Sequence, residues 1–223
     1  MTEKQAGGTG AHGFAFEELV GKALHHLKVR LDEDDEGWVM IIQNELQIRG
    51  FFKEPSLNGV DHMVQIEDPE GNQHLFFIQE KWKLQTKQNE VSQFLDCCAR
   101  LLGRMPDYKG QVHKLWVSRT VPSQNGEKSL KEGKAILVQT CTSQTMLAFN
   151  TIIVICELLE ERHIAAEILP RMGSLLPSEE DGKMEDLPVE EGAPTTFQPV
   201  SNFGEKRVLP ITKQTVVRVM KSE

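Results

Sequence analysis

No apolar stretch in this sequence approaches the roughly 20 residues that a membrane-spanning helix needs. The longest candidate, around Met146 to Leu159, is interrupted by Asn150 and Glu157, so no membrane association is expected. An apolar signal-peptide core is lacking as well. The first residues, MTEKQAGGTGAHG, are polar and glycine-rich, which predicts an intracellular protein, cytoplasmic or nuclear and not secreted. Cysteine is scarce and unpatterned. Cys97, Cys98, Cys141 and Cys156 match no zinc spacing. Adjacent Cys97 and Cys98 fall in a helical pattern, point in different directions and chelate poorly, so they read as core-filling reduced thiols. Positive charge is also short: 25 Lys and Arg face 33 Asp and Glu, for a net charge of −8. That argues against a dedicated, non-specific nucleic-acid binder, whose phosphate contacts need Lys and Arg. It does not exclude a nuclease, because the local charge around a cleft decides there. Many of the acids sit elsewhere, in residues 31–37 (LDEDDEG) and 178–192 (SEEDGKMEDLPVEEG), which read as solvated loops.

What is present is the composition of a soluble globular protein: 223 residues, 39 % hydrophobic and 26 % charged. Residues 1–12 read as a flexible leader and residues 13–170 as an α/β domain. Residues 171–197 read as an acidic linker with too few large apolar residues to fold alone. Residues 198–223, ending RVLPITKQTVVRVMKSE, regain apolar character as a docked segment or an interaction element for a protein partner.

The first helix shows clearly. Phe16, Leu19, Val20, Ala23, Leu24 and Leu27 share one helical face. Glu17 lies at the border of that face, in line with Val20 and Leu24, whereas Glu18 joins Lys22 and His25 on the polar side. Residues 38–42 are apolar and fit strand or helix. Residues 48–54 (IRGFFKE) suggest a short strand. Residues 60–66 alternate, with Val60, His62, Val64 and Ile66 pointing one way and Asp61, Met63 and Gln65 the other. The turn cluster DPEGN follows, and HLFFIQEKW completes a hairpin. A helix with Asn89 as its N-cap, strands at 113–118 and 135–139 with a short helix between them, and helices over 142–159 and on to about 169 make up the rest. The order predicts an α/β sandwich with a mixed central sheet flanked by helices.

The apolar run FFIQEKW ends in an amide and two charges. On such a strand Gln79 and Lys81 share a face, and Asp61 opens the partner strand, so the three can converge at one sheet edge. A solvated strand end explains Gln79 and Lys81 equally well when each is taken alone. Together they offer more. A carboxylate with an amide or backbone oxygen suits a hard cation such as Mg²⁺. A cation there polarises a phosphate and acidifies bound water, and a nearby lysine orients that water or stabilises developing charge. A competing register, Glu80 with Lys83, points to the opposite face. Lys83, Lys87, Arg100, Arg104 and Lys109 flank the strand end and fit either a phosphate-tracking surface or a solvated one.

The ordered set GFAFEELV, NGVD and an apolar strand ending QEK resembles the PD-(D/E)xK nuclease superfamily. It is most similar to the Mrr-like restriction endonuclease branch, with glutamine in the usual acidic position (QxK). The resemblance covers roughly Gly13 to Gln139. It implies a restriction-endonuclease-like fold and a DNA endonuclease, using Mg²⁺ with Mn²⁺ as a substitute. Carried over residue by residue, Asp61 binds the metal, Gln79 and Glu17 complete its shell directly or through water, and the backbone carbonyl of Glu80 adds a ligand. Lys81 orients the attacking water. DNA is the implied partner, and a homodimer would suit cutting both strands of a duplex. The chain departs from the pattern in its Ser-Leu-Asn-Gly turn and in the acidic stretch after the first helix. A catalytically silent module that binds nucleic acid or protein is the rival reading.

Overall fold

The computed structural model describes residues 9–34, 37–57, 59–140, 143–172 and 216–218. The first helix, α1 (Thr9–Glu33), begins inside the expected leader, so that expectation is corrected for residues 9–12. Residues 1–8 lie outside the described residues, as do nearly all of the expected linker and most of the C-terminal segment.

The strands β1 (Val39–Asn44), β2 (His62–Glu67), β3 (Gln73–Lys81), β4 (Gln111–Ser118) and β5 (Ile136–Gln139) lie side by side in chain order. β1 to β3 are antiparallel neighbours, whereas β3–β4 and β4–β5 are parallel. The parallel pairs need crossovers, supplied by α3 (Gln88–Gly103) and α4 (Gln124–Glu132). Residues Val216–Arg218 (β6) pair antiparallel with β5. The result is an α/β sandwich with a mixed sheet, as the sequence predicts.

Alternation along β2 and β3 builds two cores. Val64, Ile66, Phe76 and Ile78 bury against α1, α5 (Gln144–Leu158) and α6 (Arg162–Met172). Met63, Leu75 and Phe77 bury against α3, α4 and α2 (Glu45–Phe52). Each fully buried side chain of this size contributes about 1.5–3 kcal/mol, so β3, covered on both faces, is held rigidly where it carries Gln79, Glu80 and Lys81. The hairpin turn forms as its residues dictate. Asp68 Oδ1 accepts from the Asn72 and Glu70 backbone N–H groups at 2.7 and 3.0 Å, and Gly71 supplies φ +83.

Residues 38–42, ambiguous in sequence, start the edge strand β1. Residues 48–54 are not a strand. They lie in and just after α2, because Asn44 and Gln47 form a reciprocal cap: Asn44 Oδ1 accepts from Gln47 N, and Gln47 Oε1 from Asn44 N, both at 3.0 Å. Ile48 and Phe52, one turn apart, then bury on one side. α3 starts a little before the expected Asn89 cap, with Lys87 as N-cap, whose N–H the Glu90 carboxylate accepts at 2.9 Å. Cys97, Cys98 and Cys156 are buried core thiols. Among the described residues, no helix is long and apolar enough to cross a membrane.

α5 is packed on nearly every side, and its Asn150 is buried with neither side-chain atom hydrogen-bonded. Removing an unsatisfied buried amide relieves a desolvation cost of about 1–3 kcal/mol. Asn150→Leu is therefore expected to raise the urea midpoint without changing the slope of the transition. A lowered midpoint would mean that the amide has a partner or that leucine does not fit.

Candidate functional site

Asp61 is placed by a close packing contact rather than by strand alternation. Gly59 has φ +123, and a Cβ there would lie 2.7 Å from Phe94 Cα in α3. The chain therefore turns tightly against the α3 backbone just before β2 begins. For that reason Val60, expected on the His62 face, packs instead in the core with Met63 and Phe94. Beyond the turn the expected alternation holds. Asp61 N donates to Ile78 O at 2.9 Å and so locks Asp61 beside the end of β3.

There Asp61 meets Gln79. The Gln79 side-chain amide donates to Asp61 Oδ2, which also accepts from the Glu80 backbone N–H at 2.7 Å. The simple picture of a strand running into solvent fails, because Gln79 is 1 % exposed and Glu80 3 %. Of the three residues that end β3, only Lys81 is partly exposed. Glu17 on α1 is half-buried and near enough that its acidity responds to both Asp61 and Lys81. Its neighbour Glu18 faces solvent and pairs with Lys22 at 2.8 Å, as the helical pattern predicts. The sequence-predicted residues Glu17, Asp61, Gln79 and Lys81 thus occupy one neighbourhood.

Two residues of this neighbourhood were not assigned their observed side-chain roles by sequence. Glu80 points to the α1 side and accepts from, or shares a proton with, His62 Nδ1 at 2.9 Å. Both side chains are buried, and Glu80 Oε2 has no hydrogen-bond partner. The available signal was alternation. His62 and Glu80 stand on neighbouring strands two residues out of register, since His62 pairs with Ile78, and they share the face opposite Asp61 and Gln79. Lys83, Arg100 and Arg104, which fitted a phosphate-tracking surface, are engaged within the protein. Lys83 pairs with Glu90, and Arg100 and Arg104 with Glu54. Gln93 faces solvent.

Crowded carboxylates resist ionisation. Burial, then the Asp61 charge, pushes Glu17 up to about 7, against the opposing pull of Lys81. Burial likewise pushes Glu80 to about 7, although His62 favours its charged form. Asp61 is raised by burial, with Lys81 and the Glu80 N–H pulling it back. Burial alone would lower His62, but the Glu80 carboxylate overrides it and the net shift is upward.

These shifts share one sign. The folded state holds extra protons between about pH 4.5 and 7, so stability present below that window is lost as pH rises through it. In EDTA, the urea midpoint is expected to fall between about pH 5 and 7.5. Glu80→Gln, which keeps a polar partner for His62 and removes one charge, is expected to flatten part of that fall. An unchanged slope would show that Glu80 does not hold the extra proton.

Chemically, the end of β3 brings three carboxylates within electrostatic reach of one another and of His62, with Lys81 acting on Glu17 and Asp61, an acidic excess of the kind a divalent cation offsets. Mg²⁺ is bound through one or two carboxylates while keeping several waters. Asp61 and Glu17, whose charges act on each other, are the two carboxylates that would hold it. Gln79 turns its amide nitrogen toward Asp61, so a cation shared by the two would require its amide to rotate. Among the described residues, no three His, Cys, Asp or Glu side chains are grouped to hold a metal ion. No family model, no curated protein and no solved structure matches the chain.

Proposed function

We propose that this protein is a metal-dependent nuclease that hydrolyses phosphodiester bonds in DNA, with a site of the PD-(D/E)xK, Mrr-like kind. The observation that carries this reading is the meeting of Asp61, Gln79 and Lys81 at one end of the β2–β3 hairpin. Glu17 lies beside them on α1. Amides and carboxylates are costly to bury, and a strand end that is merely structural has no need to gather them around a lysine. In this reading Asp61 and Glu17 hold Mg²⁺ or Mn²⁺, with Gln79 and the Glu80 carbonyl as further oxygen donors. The bound cation supplies a more acidic water and charge neutralisation on the phosphate. Lys81, partly exposed, positions the attacking water and stabilises negative charge on the phosphoryl oxygens. A second copy of the chain would present a second site to the opposite strand of a duplex.

One observation favours the rival, a catalytically silent domain that binds nucleic acid or protein. The Gln79 amide already satisfies an Asp61 oxygen without any cation. The deciding experiment is cleavage of linear duplex, supercoiled, branched and single-stranded DNA and of RNA in Mg²⁺, Mn²⁺ or EDTA. Metal-dependent cutting by the wild type that is lost in Lys81→Ala is the expected result. No cutting of any substrate, combined with binding, would establish the silent module instead.

A further inference from the structure

The arginines of this chain are mostly spent on its own acids. Arg30, Arg49, Arg100, Arg104, Arg162 and Arg171 each lie within 4.0 Å of a carboxylate. Arg119 is the one arginine with a described side chain that has no such partner, in a protein whose acids outnumber its bases. It stands at the same end of the sheet as the candidate site. Lys81 pairs with Ser118 across β3 and β4, and Arg119 N donates to Lys81 O at 3.1 Å.

Its side chain lies over an aromatic ring as well as being unpaired with any carboxylate. The guanidinium carbon lies 5.2 Å from the centre of the Trp82 ring. Trp82 packs in turn against Phe16, at 5.6 Å between ring centres, and Phe16 precedes Glu17 on α1. The backbone below is braced. Ser118 Oγ donates to Thr120 O at 2.6 Å, and Thr120 Oγ1 to Lys83 O at 3.2 Å. A cation held over a ring by its π face needs no hydrogen bond from its N–H groups, the planar fork that binds a phosphate in two-pronged fashion. That hold also reduces the rotamer freedom lost on binding.

We infer that Arg119, held by Trp82, binds a phosphodiester group of the nucleic-acid backbone beside the linkage to be cut. This rests on the nuclease reading for its substrate class. Arg119 is the binding residue and Trp82 the residue that positions it. A lysine in place of Arg119 keeps the charge but loses the planar fork and the stack.

The test is binding of a fluorescein-labelled DNA duplex and its single strand in EDTA or Ca²⁺, across a salt series, with cleavage in Mg²⁺ measured on the same preparations. Arg119→Ala is expected to weaken binding about tenfold at low salt. It should also lower the slope of log affinity against log salt by about 0.9 for duplex or 0.7 for single strand, one phosphate contact. Trp82→Leu should lose part of the same affinity, and Trp82→Phe should restore most of it. Arg119→Lys should keep the slope with reduced affinity. Thermal melts establish that each variant is folded.

If the wild type binds and cuts, and Arg119→Ala retains its affinity and slope, the inference is overturned and the nuclease reading stands. Binding that depends on Arg119 without any cutting sustains the contact and removes the catalysis. A wild type that neither binds nor cuts overturns both.

Discussion

Asp61→Asn is expected to reduce metal-dependent DNA cleavage by about a thousandfold or more, since metal stabilisation of transition-state charge is worth several kcal/mol and each 1.36 kcal/mol is tenfold. Asparagine keeps an acceptor for the Gln79 amide and the Glu80 N–H, so the local hydrogen bonds that Asp61 makes survive. What it removes is the charge. The same variant carries a second readout that needs no substrate. A cation at one hundred times its dissociation constant stabilises the folded state by about 2.7 kcal/mol, which is roughly 5–11 °C for a chain of this size. Wild type should show that rise with Mg²⁺ or Mn²⁺ and lose it in EDTA, and Asp61→Asn should melt at one temperature throughout. A wild type indifferent to both ions would sink the metal-dependent reading. An Asp61→Asn protein that still responds would place the ion elsewhere, with Glu17 or Glu80 as the next carboxylates to replace.

Gly59→Ala should be the most damaging single methyl group in this region. Its Cβ would sit 2.7 Å from Phe94 Cα, 2.8 Å from Phe94 N and 2.9 Å from the Gln93 carbonyl carbon. All three are backbone atoms of α3 and cannot swing aside. The φ of +123 adds conformational strain for any residue with a side chain. Together these are expected to cost about 3 kcal/mol or more, or roughly 6–12 °C in melting temperature. Any relief must push the turn off α3, and Asp61 is two residues away. Cleavage and metal-linked stabilisation should therefore fall further than stability alone explains. Gly71→Ala is the matched control. Its φ is +83 and nothing lies within 4 Å, so only backbone strain applies and about 1 kcal/mol is expected. Equal melting temperatures for the two variants would show that the packing of the turn on α3 is loose and does not place Asp61.

Much of this arrangement follows from local chemistry. The period-two pattern of HLFFIQEK, the DPEGN turn and the opposite facing of Glu17 and Glu18 are short-range properties. Backbone geometry imposes them whatever surrounds the segment. That is why the hairpin, the amphipathic α1 and the shared neighbourhood of Asp61, Gln79 and Lys81 could be read from residue order, along with the mixed α/β class. Residues 48–54 misled because IRGFF has strand-like composition, while the Asn44 and Gln47 cap that starts a helix there lies upstream of the apolar run.

Only the tertiary structure decided the rest. That Gln79 and Glu80 are buried rather than solvated depends on which helices cover the two faces of β3. Those covers come from segments distant in sequence. The His62–Glu80 pair and the raised acidities of Glu17 and Glu80 arise from burial and from charges brought close by folding, and neither leaves a mark in any short window of sequence. The same holds for the arginines. Sequence counts 25 positive charges, but only three-dimensional proximity shows that Arg100 and Arg104 are committed to Glu54, while Arg119 lies over Trp82. Local geometry is written residue by residue, whereas dielectric environment and charge pairing belong to the packed whole.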